Sequence, residues 1–137
     1  MSNVIHASHL TLTYGNEGKE VIKDANFSIK KGEFVFITGP SGSGKSTLLK
    51  ALYGKLRPSE GNLVVGGLDL AHVSQRKLQE LRTHMGIIFQ DYKLVNEWTV
   101  KKNVVLPLMI AGYDSEIQDT QARRLLKHVK LPAYADK

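Results

Sequence analysis

Residues 36–47 read "FITGPSGSGKST", and the fold turns on what that stretch does. It follows an apolar run, Phe34-Val35-Phe36-Ile37, and precedes "LLKALYG", which reads as a short helix over Lys45–Tyr53 with Gly54 as its left-handed cap. Gly39-Pro40-Ser41-Gly42-Ser43-Gly44-Lys45-Ser46 matches G-x-x-x-x-G-K-[ST] in full. Each residue type has a physical reason. Glycines let the backbone approach an anion with no Cβ in the way. Successive N–H groups then turn inward as a nest, and the following helix aims its positive end at the same point. Lys45 supplies a mobile charge for β- and γ-phosphates. The Ser46 hydroxyl is a hard oxygen for Mg²⁺, and Thr47 adds a hydroxyl toward the α-phosphate. The dinucleotide fingerprint fails, because Thr47 stands where its third glycine belongs. The nucleophile-elbow pattern fails at Ser43.

Working outward, "VIHASHLTLTY" (4–14) alternates and is rich in β-branched residues, and "VIKDANFSI" (21–29) follows a glycine turn, so the two predict an antiparallel hairpin. The continuous apolar runs "FVFITG" and "GIIFQ" predict strands buried on both faces of a central sheet. "LVVGG" reads as a short strand into a turn. Ser74 reads as an N-cap, with Val73 and Leu78 spaced as a hydrophobic staple, for a helix reaching about Arg82. Thr99 caps a helix whose Val100, Val104, Val105 and Leu108 share a face, with Pro107 expected to kink or end it. Ser115 and Gln118 fit a capping box, and Ala122, Leu125, Leu126 and Val129 follow at helical spacing. Lys127, His128 and Lys130 suit that helix's negative end.

The composition limits the function. The 137 residues fit one domain, and no run reaches the ~20 apolar residues of a membrane helix. The start "MSNVIHASHL" has no secretory signal pattern. The absence of cysteine excludes disulfides and thiolate metal sites and suits a reducing compartment. Nineteen basic against thirteen acidic residues give +6, which fits phosphate ligands, anionic lipid or simply a solvated surface. No basic run interleaves with stacking aromatics, so nucleic acid is not expected. The five histidines are scattered and form no metal-ligand spacing.

A phosphate loop alone leaves the enzyme open. A nucleotide kinase of the guanylate-kinase sort has a similar loop, but such chains usually open on the P-loop strand, whereas two expected strands come first here. The first ends in Tyr14, a ring that can stack on a base.

The arrangement resembles the nucleotide-binding subunit of ABC transporters. "LTLTY" (10–14) resembles the aromatic loop, "GPSGSGKST" the Walker A motif, and "MGIIFQD" (85–91) the strand entering the Q-loop. The resemblance implies an α/β P-loop NTPase of the ABC ATPase type with an antiparallel β subdomain. It implies ATP and Mg²⁺ as cofactors, Tyr14 stacked on adenine, and Gly39 to Thr47 around the phosphates. Lys45 and Gln90 would be catalytic, Ser46 and Gln90 would face the metal, and Gln90 would report nucleotide state to a membrane partner. "FQDYKLVNEWTVKKNVVLPLMIAG" is similar to the FtsE group of cell-division ATPases, which pair with the membrane protein FtsX. Related lipoprotein-releasing and macrolide-efflux ATPases share much of it. Lys102 departs from that group, which usually carries an acidic residue there.

The LSGGQ signature, the Asp-Glu pair, the D-loop and the switch histidine are not found. Asp91 can be nominated as a Walker B carboxylate, but glutamine precedes it and no Asp-Glu pair follows, so the Q-loop reading is preferred. The chain therefore reads as the N-terminal portion of one ABC ATPase domain, with the C-terminal half missing. Residues 1–90 would form the nucleotide-binding core and β subdomain, and 91–137 the Q-loop and start of the helical subdomain. The resemblance further implies a homodimer of the full-length ATPase, peripheral on the inner face of the cell membrane through an FtsX-like partner. These 137 residues alone are expected to bind nucleotide without turnover. Tyr92, Leu94, Val95 and Trp98 put large apolar groups into a stretch reading as loop, so 90–110 are the expected docking surface.

Overall fold

The computed structural model describes residues 2–137, which divide into a first unit ending at Met85 and a second, Gly86–Lys137.

The first unit is built on a four-stranded antiparallel sheet in the order β2-β1-β3-β4, with β1 Asn3–Tyr14, β2 Lys19–Lys30, β3 Glu60–Val65 and β4 Leu68–Asp69. The hairpin is as the alternation predicts. Its regularity is interrupted, however. The register slips between Ala7 and Leu10 against β2 and between Ser8 and Thr11 against β3. His9 turns to φ 48 there, and Asp24 across the hairpin does the same. The slip resets the alternation, so Ala7, Leu10 and Leu12 all face inward and are buried. Polar groups hold the distortion. His9 N–H donates to Asn26 Oδ1 at 2.9 Å, and His9 Nδ1 meets Asp24 Oδ1 at 2.6 Å. That bond holds the Asp24 carboxyl below its ordinary range. The His9 carbonyl presses so close to β3 that a Cβ on Gly61 would lie 2.0 Å from it, so only glycine fits.

The core joins Ala7, Leu10 and Leu12 to Leu63 and Val65 of β3, Ala51 of α1 (Lys45–Leu52), Leu70, and Leu78 of α2 (Gln75–Thr83). Fully burying each leucine stabilises the fold by about 1.5–3 kcal/mol. Helix α1 closes as expected. Gly54 N–H donates to Ala51 O and Lys55 N–H to Lys50 O, the paired bonds of a Schellman cap. Arg82 Nε reaches back from α2 to Tyr53 O at 2.8 Å. Ser74 caps α2 by accepting from Lys77 N–H, and Val73 packs against the core that holds Leu78.

The second unit pairs α3 (Val100–Ile110) with α4 (Ser115–His128), followed by a short 3-10 turn at Pro132–Tyr134. Val105, Ala122 and Leu126 are buried. Lys101 bridges to Asp119 at 3.0 Å, and Arg123 to the same carboxylate at 2.7 Å. Val100 and Lys101 N–H donate to the carbonyls of Lys137 and Ala135.

Several expectations are corrected. The runs at 34–39 and 86–90 are not strands. Phe34 and Phe36 are 85% and 80% exposed, and Ile88 is 95% exposed. An apolar run becomes a doubly covered strand only where neighbouring strands pair with it, and neither run is among the strands of the described sheet. Pro107 does not end α3, which continues to Ile110. The missing proline N–H removes one rung, and the next bond, Ala111 N–H to Pro107 O, is kept. The cap of α4 is Asp114, which accepts from Ile117 N–H at 2.9 Å, and not Ser115. Gln118 instead donates to Tyr113 O. Leu125 and Val129 lie on the exposed side of α4, so its covered face is narrower than the apolar spacing implies.

Candidate functional site: a phosphate loop and a tryptophan-lined groove

In the first unit, residues 39–44 form the loop into α1. Gly44 is the N-cap at φ 101, and no side chain caps the helix. The first-turn N–H groups have no intrahelical partner, so they leave a positive helix end facing the loop. A Cβ on Gly44 would come within 2.8 Å of Ile22 Cδ1 and 2.9 Å of Val21 Cγ1, at a φ that side chains rarely adopt. A Cβ on Gly39 would lie 2.7 Å from Ser43 Oγ and 4.0 Å from Lys45 Nζ, in the interior of the loop. The two glycines therefore keep open the space that an anion needs. Ser43 N–H closes a turn onto Pro40 O.

Lys45 curls back over its own loop. Its ammonium donates to Gly39 O at 2.5 Å, to Pro40 O at 2.8 Å and to Ser43 Oγ at 3.3 Å. These are replaceable neutral acceptors, so the charge is held where an incoming phosphate can take it over. Ser46 is exposed on the first turn of α1 and Thr47 is half-buried beside it. Tyr14 ends β1 in the same unit, 55% exposed, with Lys50 Nζ of α1 5.4 Å from its ring centre. The structure thus gathers Tyr14 and residues 39–47 into the first unit. Gln90 belongs to the second, where it is exposed in the turn closed by Tyr92 N–H on Phe89 O.

The loop fits a polyphosphate: an uncapped helix end, an interior kept free of Cβ atoms, and a lysine on exchangeable partners. For Mg²⁺ the hard oxygen on hand is Ser46 Oγ, and the phosphates and water would supply the rest. Among the described residues no cluster of three or more His, Asp or Glu forms a metal cage.

In the second unit, residues 94–104 enclose a cavity of about 390 Å³ walled by Leu94, Val95, Trp98, Val100 and Val104 and the amides of Asn96 and Asn103. Just before it, Tyr92 and Lys93 take consecutive left-handed conformations, φ 59 and φ 53. Asn103 is the residue that reading by residue type missed. Its amide accepts from Val95 N–H and donates to the carbonyls of Val95, Trp98 and Thr99, so one side chain ties the loop to α3. Its signal was an asparagine in a first helical turn, a place where its amide competes for backbone groups. Thr99 caps α3, as expected, by accepting from Lys102 N–H. Lys102 lays its ammonium 4.2 Å above the Trp98 ring centre.

Loop, helix and antiparallel sheet define a P-loop nucleotide-binding protein of the cassette type. Residues 22–137 match the ABC transporter family, and the chain belongs to it. YtrE of Bacillus subtilis (strain 168), an ABC transporter ATP-binding protein, is 36% identical over 140 residues, which cover 98% of this chain and 60% of YtrE. The cell division ATP-binding protein FtsE of Escherichia coli (strain K12) is 40% identical over 109 residues, covering 80% of this chain and 49% of FtsE. Among solved structures, the dimeric cassette MJ0796 in a post-hydrolysis state bound to ADP and Pi superposes with a TM-score of 0.84 at 32% identity, over 96% of this chain and 60% of that one. The chain spans about half to 60% of the length of these relatives. No described helix is long and apolar enough to cross a membrane.

Proposed function

We propose that these residues form the ATP-gripping part of an FtsE-like ABC ATPase, which couples ATP binding and hydrolysis to a membrane partner of the FtsX kind. The observation that carries this reading is Lys45, held over the loop of an uncapped helix end by carbonyls it can release. Residues 39–47 would wrap the phosphates and Tyr14 would stack on the base. Ser46, with Gln90, would face Mg²⁺, which when bound neutralises phosphate charge. The residues themselves bind and orient; transfer to water needs no covalent intermediate. Dimerisation and attachment to the inner face of the membrane through the partner complete the reading. The domain division falls near residue 90, and the surface at 90–110 is where the partner docks. The identity to YtrE over nearly the whole chain favours a second reading, the ATPase of a transporter such as a lipoprotein-release or macrolide-efflux system.

The test is calorimetric titration with Mg-ATP, followed by phosphate-release kinetics on the same 137 residues. We expect binding without turnover, since these residues carry neither the signature loop nor an Asp-Glu pair. Multiple turnover abolished by Lys45→Ala would refute this and favour the kinase reading or Asp91 as metal ligand. Rescue of division in cells lacking their own FtsE, by the gene carrying this chain, separates the first reading from the second.

A further inference from the structure

Stacking alone does not choose a base, since every base offers a π-face to a tyrosine ring. Here the ring does not stand alone. Tyr14 closes β1 with its ring exposed, and Lys50 Nζ lies 5.4 Å from the ring centre. Lys50 is on the last turn of α1, and among the described residues no carboxylate lies within ion-pair distance of it. The ring holds its ammonium near the limit of about 6 Å for such a contact, so a hydrogen-bond acceptor can draw it away. Lys50 lies about 7.5 Å further along α1 than Lys45, toward the end away from the phosphate loop. A nucleotide with its phosphates on residues 39–47 and its base on Tyr14 therefore runs along α1. The side of the base farthest from the ribose then comes to Lys50, and in a purine that side carries the group at position 6.

From this juxtaposition we infer that Lys50 selects the base, favouring a purine with a carbonyl oxygen at position 6, as in guanine or hypoxanthine, over adenine. An ammonium has donors and no acceptor, and the amino group of adenine at that position is itself a donor. This selection rests on Tyr14 as the stacking ring, and it names the base that ring receives. ATP still binds through its phosphates and its stack. The 6-oxo purine gains one charge-assisted bond that adenine cannot make there.

The probes are the magnesium complexes of ATP, ITP and GTP, titrated calorimetrically into the chain. ITP differs from ATP around position 6 and from GTP only in lacking the amino group at position 2. ITP and GTP should each bind about three- to tenfold more tightly than ATP. Lys50→Met, which keeps an unbranched stem against the ring, should bring all three within about twofold of one another. Lys50→Glu should place ATP ahead of ITP. Comparing nucleotides within one variant cancels any change common to their phosphates, and denaturant unfolding checks the fold of each. Equal wild-type affinity for ATP and ITP, or a preference for ITP that survives Lys50→Met, would overturn the selection and leave Tyr14 in place. So would a gain for GTP alone, which assigns the choice to position 2. If Tyr14→Ala leaves all three affinities unchanged, the stacking reading fails and takes this inference with it.

Discussion

Removing the Lys45 ammonium tests the phosphate cradle most directly. In the structure the group is engaged by two carbonyls and a hydroxyl, so binding ATP is an exchange and not a gain from nothing. A charge-assisted bond to phosphate is worth about 1.5–3 kcal/mol net, and the neutral bonds it replaces about 0.5–1.5. Taken end to end, the difference attributable to Lys45 is about 1–1.5 kcal/mol, which is about five- to twelvefold in affinity. Lys45→Ala should weaken Mg-ATP by that factor. It should leave adenosine, which has no phosphate, unaffected. Titration calorimetry with both ligands on wild type and variant reads this out, and denaturant unfolding checks that the fold is kept. Unchanged ATP affinity, or an equal loss for adenosine, would refute the exchange.

Tyr14→Ala should weaken ATP by about three- to tenfold and leave inorganic pyrophosphate within twofold, because a stacked ring contributes through the base alone; equal losses for both in competition titrations would remove Tyr14 from the site. Asp119 is held below its ordinary value of 3.8 by hydrogen bonds from Arg123 and Lys101. The stability it contributes is then full above 3.8 and lost as pH falls through the lower folded value. Asp119→Asn should be less stable than wild type at neutral pH, with the gap closing in acid; a gap constant to pH ~2 by thermal unfolding would contradict this.

The phosphate loop was legible because its chemistry is local. Glycine at 39, 42 and 44, lysine at 45 and a hydroxyl at 46 lie close together in the chain, and the structure places them in one loop and the first turn of α1. The caps at Ser74 and Thr99 were legible for the same reason. Long-range features were not. Nothing in "HASHL" announces that His9 breaks the alternation, because the slip is set by Asp24 and Gly61 on two other strands. The run Phe34–Ile37 announces apolar surface, but whether neighbours cover it is decided elsewhere in the molecule. Asp114 and Ser115 are both competent caps, and only the extended backbone at Asp114 decides between them. The role of Asn103 needed the loop it ties, which is irregular and has no period to read.

The uncovered run also bears on how the protein behaves in concentrated solution. Residues 34–39 are β-prone, uncharged and free of proline, the makeup of a segment that stacks with copies of itself. The two phenylalanine rings, edge to face at 5.1 Å, blunt the run only slightly. Its flanks do more: Lys30, Lys31 and Glu33 precede it and Pro40 follows, charges and a ring that interrupt cross-β growth at either end. A net charge of +6 adds repulsion between molecules. Salt that screens this repulsion will therefore hasten precipitation.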